Sequence, residues 1–429
     1  MRLQADSECA ALRRPTPAAW LIILSTERQA ATQMDDSVGP ALVSRARELK
    51  AHFRDCAFEA ETERRVPKAS FEKLSASGLL RAYIPERFGG YEVSPRWFWR
   101  IAAELASACP STGWVYSVLS CHTYLFAMFP EHAQEEIFSA HPDVAISGVL
   151  PDKSTAKLVD GGLRMKTGFW PFGSGCHNAD WAMLGVELED HPPGYNKAFC
   201  IVPMAEVEIV DDWKVAGLKA TGSNSLRLKS AELFVPTHRT LKAEVALAHK
   251  YGEQRTQLYR TPMAPVLSLS LGLGATIGAA RGALEYFEDL VGHRSERPMI
   301  YTTEVRKHEL PATLSTLAAA TARLDSACLL ADHACDLAWS SAATPKTVLN
   351  METRARLRLY GVHVMHECRE IVNLLFLQSG GSALHEQSPI QRFNRDAQAM
   401  TMHEMAHLDM MQNTYGQVRL KQATNHWLL

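Results

Sequence analysis

The spacing of hydrophobic and polar positions divides the chain into three stretches. From about Ser37 to Ile146, apolar residues recur at intervals of three and four, as over Val43 to Ala57 and Ala69 to Leu79, which predicts amphipathic helices. Short runs separated by glycine turns follow as far as Leu241, and they predict strands. From about Leu258 the helical spacing returns over longer segments. The pattern is typical of a helical domain, a small β domain and a second helical domain.

Two further helices are predicted in the first stretch, Trp97 to Ala108 and Gly113 to Phe129. The second is apolar on nearly all sides, which indicates a buried helix. His122 lies within it, and a lone histidine among apolar residues is usually a satisfied core residue. Gly78 is expected to follow the end of a helix, because glycine readily adopts the left-handed conformation found there.

The middle stretch contains short β segments with turn signals between them. These segments are Val144 to Val149, the glycine-turn hairpin Leu158 to Met165, Ala179 to Glu187, Ala198 to Pro203, Val207 to Trp213 and Ser225 to Phe234. Short strands with this spacing predict an antiparallel sandwich or barrel.

The last stretch contains long predicted helices with short connections. They are Pro265 to Val291, Pro311 to Ser341, Thr353 to Ser379 and Asn394 to Gln422. Such helices predict an antiparallel four-helix bundle. We therefore expect an N-terminal helical domain at 38–145, a β domain at 146–241 and the bundle at 242–429.

Residues 1–37 differ in character from the rest of the chain. Ala18 to Leu24 is apolar and follows two arginines, which superficially resembles a signal peptide, but it is short and no small-residue cleavage site follows it. We expect a disordered or artefactual extension, with Met34 as the true start.

Composition narrows the class of protein. The chain is 46% hydrophobic and 21% charged with a formal net charge of -2, so nothing suggests nucleic acid or another polyanion as a partner. Nine cysteines lie without CxxC pairs, which indicates reduced thiols in a cytoplasmic protein. No unbroken apolar run reaches the length of about eighteen residues that predicts a membrane helix.

The stretch from Gln378 to His407 combines features that suit an anionic ligand. A glycine pair, Gly380-Gly381, forms a tight turn whose backbone N–H groups are available to such a ligand. Arg395-Asp396 is expected to open a helix, with His403 two turns further on. The helix would aim a titratable group at the same ligand.

The same stretch matches two metal-binding patterns, and both are incomplete. His403 to His407 reads H-E-x-x-H, which on a helix places two zinc ligands on one face. No acidic residue follows Asp409 and the only later histidine is His426, so a third ligand is missing. Glu404 and His407 form one E-x-x-H unit of a di-iron site, which needs two. We therefore predict no metal.

Several phrases, in this order, resemble those of the acyl-CoA dehydrogenase superfamily from about Ser37 to Gln422. They are Tyr83-Ile84-Pro85 with Gly89-Gly90, Trp170 to Gly175, Asp212-Trp213 with Gly217 to Ser223, Gln378 with Gly380-Gly381, and Arg395-Asp396. The resemblance implies a mainly α fold with a central β domain, that is, an N-terminal helical domain, a small antiparallel β domain and a C-terminal four-helix bundle.

Within that superfamily the chain most resembles the group D flavin-dependent monooxygenases, which are the oxygenase components of two-component systems. The resemblance implies that reduced FMN or FAD comes from a separate flavin reductase. With O2 it would form a flavin C4a-hydroperoxide and insert one oxygen atom into a small substrate, often a phenol. It also implies a cytoplasmic homotetramer with a flavin near each dimer interface.

The resemblance assigns roles at the reacting end of the site. Ser174 matches the serine near flavin N5, and His403 matches the histidine near the C4a edge. His122 and Ser147 match residues that contact substrate in the phenol hydroxylases, with His122 as a base for the phenolic proton.

It also assigns residues that bind the cofactor. Trp114 matches an aromatic side chain near the isoalloxazine, and Gly380, Gly381 and Ser382 match the loop around the flavin phosphate or ring edge. Arg294 and Arg297 resemble a cationic site that a neighbouring subunit offers to the flavin phosphate, since arginine forks suit phosphate. A solvated surface pair is the alternative for these two arginines.

Glu404 keeps a second enzyme class open. In the dehydrogenases of the superfamily, a catalytic glutamate lies nine residues after the arginine of the Arg-Asp pair, and that position is Glu404. The glycine and threonine that normally follow are replaced by Met405 and Ala406. We interpret Glu404 as a bundle-face residue. The alternatives are an acyl-CoA dehydrogenase-like FAD enzyme with Glu404 as base, and a non-catalytic binding protein.

Overall fold

The structure is a computed structural model of the chain. It describes residues 38–150, 154–166, 168–189, 191–192, 196–247, 256–292, 306–343 and 349–424. The predictions for the extension 1–37, and those for Arg294 and Arg297, lie outside the described residues.

The N-terminal part is helical, as predicted. Its α-helices are α1 (Val38–Glu48), α2 (Lys50–Asp55), α3 (Ala57–Glu63), α4 (Lys68–Ala76), α5 (Pro95–Ala108), α6 (Pro110–Phe126) and α7 (Glu131–Phe138). Every residue of α6 is buried, which confirms the interpretation of its apolar sequence. The predicted helix Val43 to Ala57 is divided among α1, α2 and α3. Gly78 follows α4 with a left-handed φ of 74°.

The middle of the chain forms two sheets. The strands are β1 (Ile146–Val149), β2 (Thr155–Val159), β3 (Gly162–Met165), β4 (Phe169–Trp170), β5 (Trp181–Leu188), β6 (Lys197–Pro203), β7 (Val207–Val210), β8 (Ser225–Leu228), β9 (Leu233–Pro236) and β10 (Thr240–Lys242). One sheet has the order β10-β6-β5-β2-β3-β9 with β1 beside β5, and the other has the order β4-β8-β7.

Antiparallel pairing dominates both sheets, but it is not complete. β1 and β2 each pair with β5 in parallel, and the other strand pairs are antiparallel, as the predicted antiparallel β domain requires. The predicted segment Ser225 to Phe234 divides into β8 and β9, which lie in different sheets. The hairpin β2–β3 forms as predicted, with Leu158 opposite Leu163.

The C-terminal part is helical again. Its helices are α8 (Ala243–Leu247), α9 (Gln257–Arg260), α10 (Met263–Ser270), α11 (Leu273–Gly292), α12 (Pro311–Ser340), α13 (Met351–Ser379), α14 (Pro389–Thr401) and α15 (Leu408–Arg419). Helices α11 to α15 pack on one another as the bundle. The first predicted bundle helix is interrupted at Gly272, which has a left-handed φ of 81°.

The last predicted helix is wrong in one respect that affects the site. Asn394 to Gln422 is two helices, because α14 ends at Thr401 and a 3-10 turn, Glu404–Ala406, precedes α15. His403 has extended φ and ψ of -64° and 142°, and its side chain accepts a hydrogen bond from the N–H of Met405. A residue with this geometry starts a new turn and does not continue a helix. His403 is therefore not two turns inside a helix.

One segment passes a length and composition test for a membrane span. Among the described residues, Met263–Gly292 does so, and 83% of its most apolar window is buried inside the protein. A core helix passes the same test, so the segment is weak evidence for a membrane.

A row of glycines lets α11 pack closely against α5. The row is Gly274, Gly278 and Gly282, spaced by one helical turn each. A Cβ built on these glycines would lie 2.3, 2.4 and 2.3 Å from the carbonyl oxygens of Trp99, Ala103 and Ser107, respectively. The two helix backbones are therefore too close for any side chain at these positions.

Gly278→Ala should destabilise the protein, because its methyl group would overlap the α5 main chain. We expect a loss of about 1–3 kcal/mol in the free energy of unfolding, measured by urea titration. Gly416→Ala is the matched control, because no atom lies within 4 Å of a Cβ built there in α15. It should be neutral or stabilising by up to about 1 kcal/mol. Equal effects of the two substitutions would contradict the close packing.

Candidate active site

Ser174 lies in the turn that follows β4. Two main-chain hydrogen bonds hold this turn to the segment before β8, from Gly173 N–H to the Asn224 oxygen at 3.0 Å and from Gly175 N–H to the Thr221 oxygen at 2.9 Å. The residue itself is only 7% exposed. The backbone on either side of Ser174 is therefore fixed, and so is the point on the backbone from which its side chain extends.

The hydroxyl of Ser174 is part of a buried polar chain. Its Oγ lies 2.7 Å from Ser223 Oγ, which lies 2.6 Å from Thr221 Oγ1. Thr221 Oγ1 donates to the carbonyl of Leu218 at 2.8 Å. On the other side, Trp114 donates its indole N–H to Ser174 Oγ at 3.3 Å. All four side chains are buried, so water does not compete for these bonds.

His403 is placed beside Trp114 by the turn that begins at Glu404. The two ring centroids are 5.4 Å apart, with an edge-to-face angle of 62°. His403 Nδ1 accepts the Met405 N–H at 3.1 Å, so the neutral ring carries its proton on Nε2. Burial of the ring lowers its pKa to about 4, so it is neutral at pH 7. No described residue forms a hydrogen bond with Nε2.

His122 lies on α6 with its ring against β1. A Cβ built on Gly148 would lie 2.9 Å from His122 Nε2, so this close approach requires glycine. Nδ1 is buried and has no partner among the described residues. Burial lowers the pKa of His122 to about 4; a backbone contact with Ile146 opposes the shift, and the nearby His403 adds to it.

Ser147 is fully buried on β1, next to Gly148. Its hydroxyl donates to the main-chain carbonyl of Ser174 at 3.0 Å. The side chain therefore fixes the position of Ser174. Contact between Ser147 and a substrate stays a prediction.

The pair Arg395-Asp396 ties three parts of the chain together. Asp396 is fully buried and accepts the Leu218 N–H at 2.6 Å and the Ser111 hydroxyl at 3.1 Å. Arg395 forms an ion pair with Glu61 at 2.8 Å and donates to the carbonyl of Ala216. Burial raises the pKa of Asp396 to about 6, although the bond from Leu218 opposes the shift.

The glycine turn predicted to bind phosphate lies at the end of α13. Gly380, Gly381 and Ser382 are exposed, and no atom lies within 4 Å of a Cβ built on Gly381. Lys307 donates to the carbonyl of Ser379 at 3.2 Å, beside this turn. Burial lowers the pKa of Lys307. The turn therefore has an open face with a cation at its edge.

The structure brings together part of the predicted site. Ser174, Trp114, His403 and Ser147 are joined by direct contacts, and His122 lies close enough to His403 for their charges to interact. The glycine turn makes no hydrogen bond to this group among the described residues. It therefore forms a separate part of the candidate site.

Sequence reasoning gave no role to Thr221, Ser223 and Lys307. Thr221 and Ser223 stand in one of the phrases that carried the family resemblance, and that was the only signal for them. Lys307 lies 72 residues from Ser379 in sequence, so no local pattern could connect it to the glycine turn.

The interruption of the helix between α14 and α15 determines the positions of both Glu404 and the H-E-x-x-H pattern. Glu404 and His407 are exposed, whereas His403 is half-buried. Because α14 ends at Thr401, His403 and His407 do not share a face of one helix. Among the described residues, no group of three or more acidic, histidine or cysteine side chains is arranged to hold a metal ion.

The fold and two domain matches define the class of this protein. Residues 41–139 match the acyl-CoA dehydrogenase N-terminal domain, and residues 271–408 match the acyl-CoA dehydrogenase C-terminal domain. The matches confirm the superfamily that the sequence resembles.

Similar proteins place the chain more narrowly. It is 33% identical over 387 residues to the oxygenase component of the FADH2-dependent resorcinol hydroxylase of Rhizobium sp. strain MTP-10005, covering 88% of this chain and 94% of that protein. It is 32% identical to HsaA, the oxygenase subunit of a flavin-dependent monooxygenase of Rhodococcus jostii, over 82% and 91% of the two chains. The chain belongs to this family of flavin-dependent monooxygenases, within the acyl-CoA dehydrogenase superfamily.

Solved structures share this fold. The 3-HSA hydroxylase of Rhodococcus sp. RHA1 superposes with a TM-score of 0.80 at 28% identity, over 90% of this chain and 99% of that one. XiaF from Streptomyces sp., in complex with FADH2 and glycerol, shares the fold with a TM-score of 0.83 at 24% identity, over 94% and 98% of the two chains.

The raised pKa of Asp396 predicts how stability depends on pH. A carboxyl group that binds its proton more tightly in the folded state contributes stability at low pH, and this contribution is lost as the pH rises through the folded pKa. Between about pH 4 and pH 7 the wild type should lose roughly 3 kcal/mol relative to Asp396→Asn, whose side chain does not ionise.

The measurement is the free energy of unfolding of both proteins across this pH range. The readout is the change with pH in the difference between the two free energies of unfolding. A loss of stability that the asparagine causes equally at every pH therefore cancels. Parallel pH profiles would show that burial of Asp396 does not raise its pKa.

Proposed function

We propose that this chain is the oxygenase component of a two-component monooxygenase. It takes reduced FMN or FAD from a separate flavin reductase and uses O2 to hydroxylate a small aromatic substrate, such as a phenol. The convergence of Ser174, Trp114 and His403 on one point carries the proposal. The relatives, whose names describe flavin-dependent hydroxylases, support it.

The polar atoms left without partners fit a flavin ring and a polar substrate. Among the described residues, Ser174 Oγ has partners for two of its three hydrogen-bonding positions, His403 Nε2–H lacks an acceptor, and His122 Nδ1 is buried and unpartnered. A buried polar atom without a partner costs free energy, so a ligand that satisfies all three would bind favourably. Bound here, reduced flavin would supply the reaction with O2.

His403 is suited to donate a hydrogen bond and not a full proton. Its pKa of about 4 keeps the ring neutral at pH 7, and the Met405 N–H leaves Nε2 as the donor. A donor held by its own backbone and by Trp114 is preorganised, which is how a site stabilises charge that develops on oxygen.

The role of His122 changes from that expected of a base. A phenol has a pKa near 10, whereas the pKa of His122 is lowered to about 4. Complete proton transfer to His122 would therefore be unfavourable by roughly 6 pKa units. Its buried Nδ1 is better suited to accept a hydrogen bond from a phenolic hydroxyl and so to orient the ring.

The exposed glycine turn and Lys307 fit the phosphate end of the cofactor. Backbone N–H groups of Gly380, Gly381 and Ser382 and the lysine charge would oppose the negative phosphate. Arg294 or Arg297 of a neighbouring subunit would complete this end of the site.

We infer that the working protein is a cytoplasmic homotetramer, with domains divided near residues 145 and 241. Large apolar side chains on the bundle support assembly, since Leu314, Leu329 and Leu377 are all exposed. The change from helices to strands and back, at β1 and α8, supports the domain limits.

His403→Ala should lower product formation by roughly 10²-fold, because a preorganised hydrogen-bond donor is lost from the reacting edge. Glu404→Gln, one residue away, should keep nearly wild-type product formation, because its side chain is exposed. The assay supplies FMN or FAD with a flavin reductase, in air, and measures the hydroxylated phenol.

The reverse pattern would favour the dehydrogenase alternative. In that case Glu404→Gln alone would lose activity, and an acyl-CoA substrate would reduce bound FAD in the absence of O2.

Light scattering should give four times the chain mass of 47.6 kDa. Leu329→Lys, at a position 71% exposed on α12, should weaken assembly by placing a charge in the interface. Leu158→Lys on β2 is the control, because that leucine is also exposed but lies outside the bundle. A monomeric wild type would remove the basis for a cofactor contact from a neighbouring Arg294 or Arg297.

A further inference from the structure

The hydroxyl groups of Thr221, Ser223 and Ser174 form a row of hydrogen bonds. The donor in each bond can be assigned, starting from Thr221. Thr221 Oγ1 lies 2.8 Å from the carbonyl oxygen of Leu218. A carbonyl oxygen only accepts hydrogen bonds, so the single hydroxyl proton of Thr221 lies between these two oxygens. The same carbonyl also accepts the main-chain N–H of Thr221 at 3.1 Å and the indole N–H of Trp213 at 3.0 Å, and the contact from the hydroxyl is the shortest of the three.

The donors of the other two hydrogen bonds follow in turn, because each hydroxyl group has a single proton. Because Thr221 has used its proton, the bond of 2.6 Å between Thr221 and Ser223 is donated by Ser223. Because Ser223 has in turn used its proton, the bond of 2.7 Å between Ser223 and Ser174 is donated by Ser174. These side chains are buried, so no solvent molecule reverses the order.

Ser174 is consequently left as an acceptor. Its proton points at Ser223, and one of its two lone pairs receives the indole N–H of Trp114 at 3.3 Å. The remaining lone pair is the free hydrogen-bonding capacity of this hydroxyl among the described residues.

An acceptor at this point distinguishes the two oxidation states of a flavin. N5 of a reduced flavin carries a hydrogen and donates, whereas N5 of an oxidised flavin has only a lone pair and would face the lone pair of Ser174. We propose that Thr221 and Ser223 are positioning residues that hold Ser174 as an acceptor and so make the site prefer reduced over oxidised flavin. The inference rests on the proposed function, since it requires a flavin beside Ser174.

The test compares dissociation constants for the reduced and oxidised forms of one flavin, FMN or FAD, whichever the wild type binds more tightly when reduced. Titrations are anaerobic, with dithionite as reductant, and binding is followed by absorbance and by thermal shift. Thr221→Val keeps the shape of the side chain but removes its proton. Ser223 is then free to donate to Ser174, whose own proton is released toward the flavin.

We expect the wild type to favour the reduced flavin and Thr221→Val to lower that preference by roughly tenfold, the effect of one or two hydrogen bonds. Ser223→Ala should lower it similarly, because Ser174 loses its acceptor. Thr221→Ser keeps the hydroxyl and should retain the wild-type ratio. In a Ser174→Ala background, Thr221→Val should have no further effect on the ratio, because Thr221 acts only through Ser174.

The other outcomes are distinct. A wild type that binds neither flavin would overturn the proposed function together with this inference. A wild-type preference that persists in both Thr221→Val and Ser223→Ala would overturn the inference alone. If Thr221→Val weakened the binding of reduced and oxidised flavin equally, Thr221 would have only a structural role, and the inference would also be overturned. If Thr221→Val does not fold, as judged by its melting transition, Ser223→Ala and its Ser174→Ala double variant decide the question.

Discussion

Asp396 joins three parts of the chain from a position with no exposed surface. Its carboxylate accepts a main-chain N–H from Leu218 and a hydroxyl from Ser111, while the neighbouring Arg395 pairs with Glu61. Burying a carboxylate is costly, as the raised pKa of Asp396 indicates. The cost is offset by donors that would otherwise lack partners. The loop at Leu218 is therefore fixed against the helices on both sides.

The reacting end of the site depends on that fixed loop. Leu218 supplies the carbonyl that orders the hydroxyls of Thr221 and Ser223, and they determine what Ser174 offers to a ligand. His403, whose ring lies edge-to-face with that of Trp114, adds an oriented N–H donor. Ser174 is thus a hydrogen-bond acceptor and His403 a hydrogen-bond donor, and backbone groups determine both roles. This pair suits a cofactor whose edge carries both a donor and an acceptor. The protein thus prepares the site before any ligand arrives.

Periodicity predicted most elements, because burial of one face or of a whole helix leaves a direct mark on the sequence, as in α6. It failed at His403, where a side chain that bonds to its own backbone replaced helical continuation. The family resemblance supplied Ser174, Trp114 and His403 as candidates but no orientation for their protons. Contacts between residues distant in sequence, such as Asp396 with Leu218, have no periodic signature. They became visible only in three dimensions.

The most direct test of this account is a crystal structure of the protein with reduced flavin, prepared without O2. The account predicts the isoalloxazine beside Trp114, with N5 about 3 Å from Ser174 Oγ and the Nε2 of His403 directed at the same edge of the ring. The phosphate should lie toward the glycine turn at Gly380. A flavin bound elsewhere, or one whose reacting edge faces Glu404 and not His403, would contradict the account.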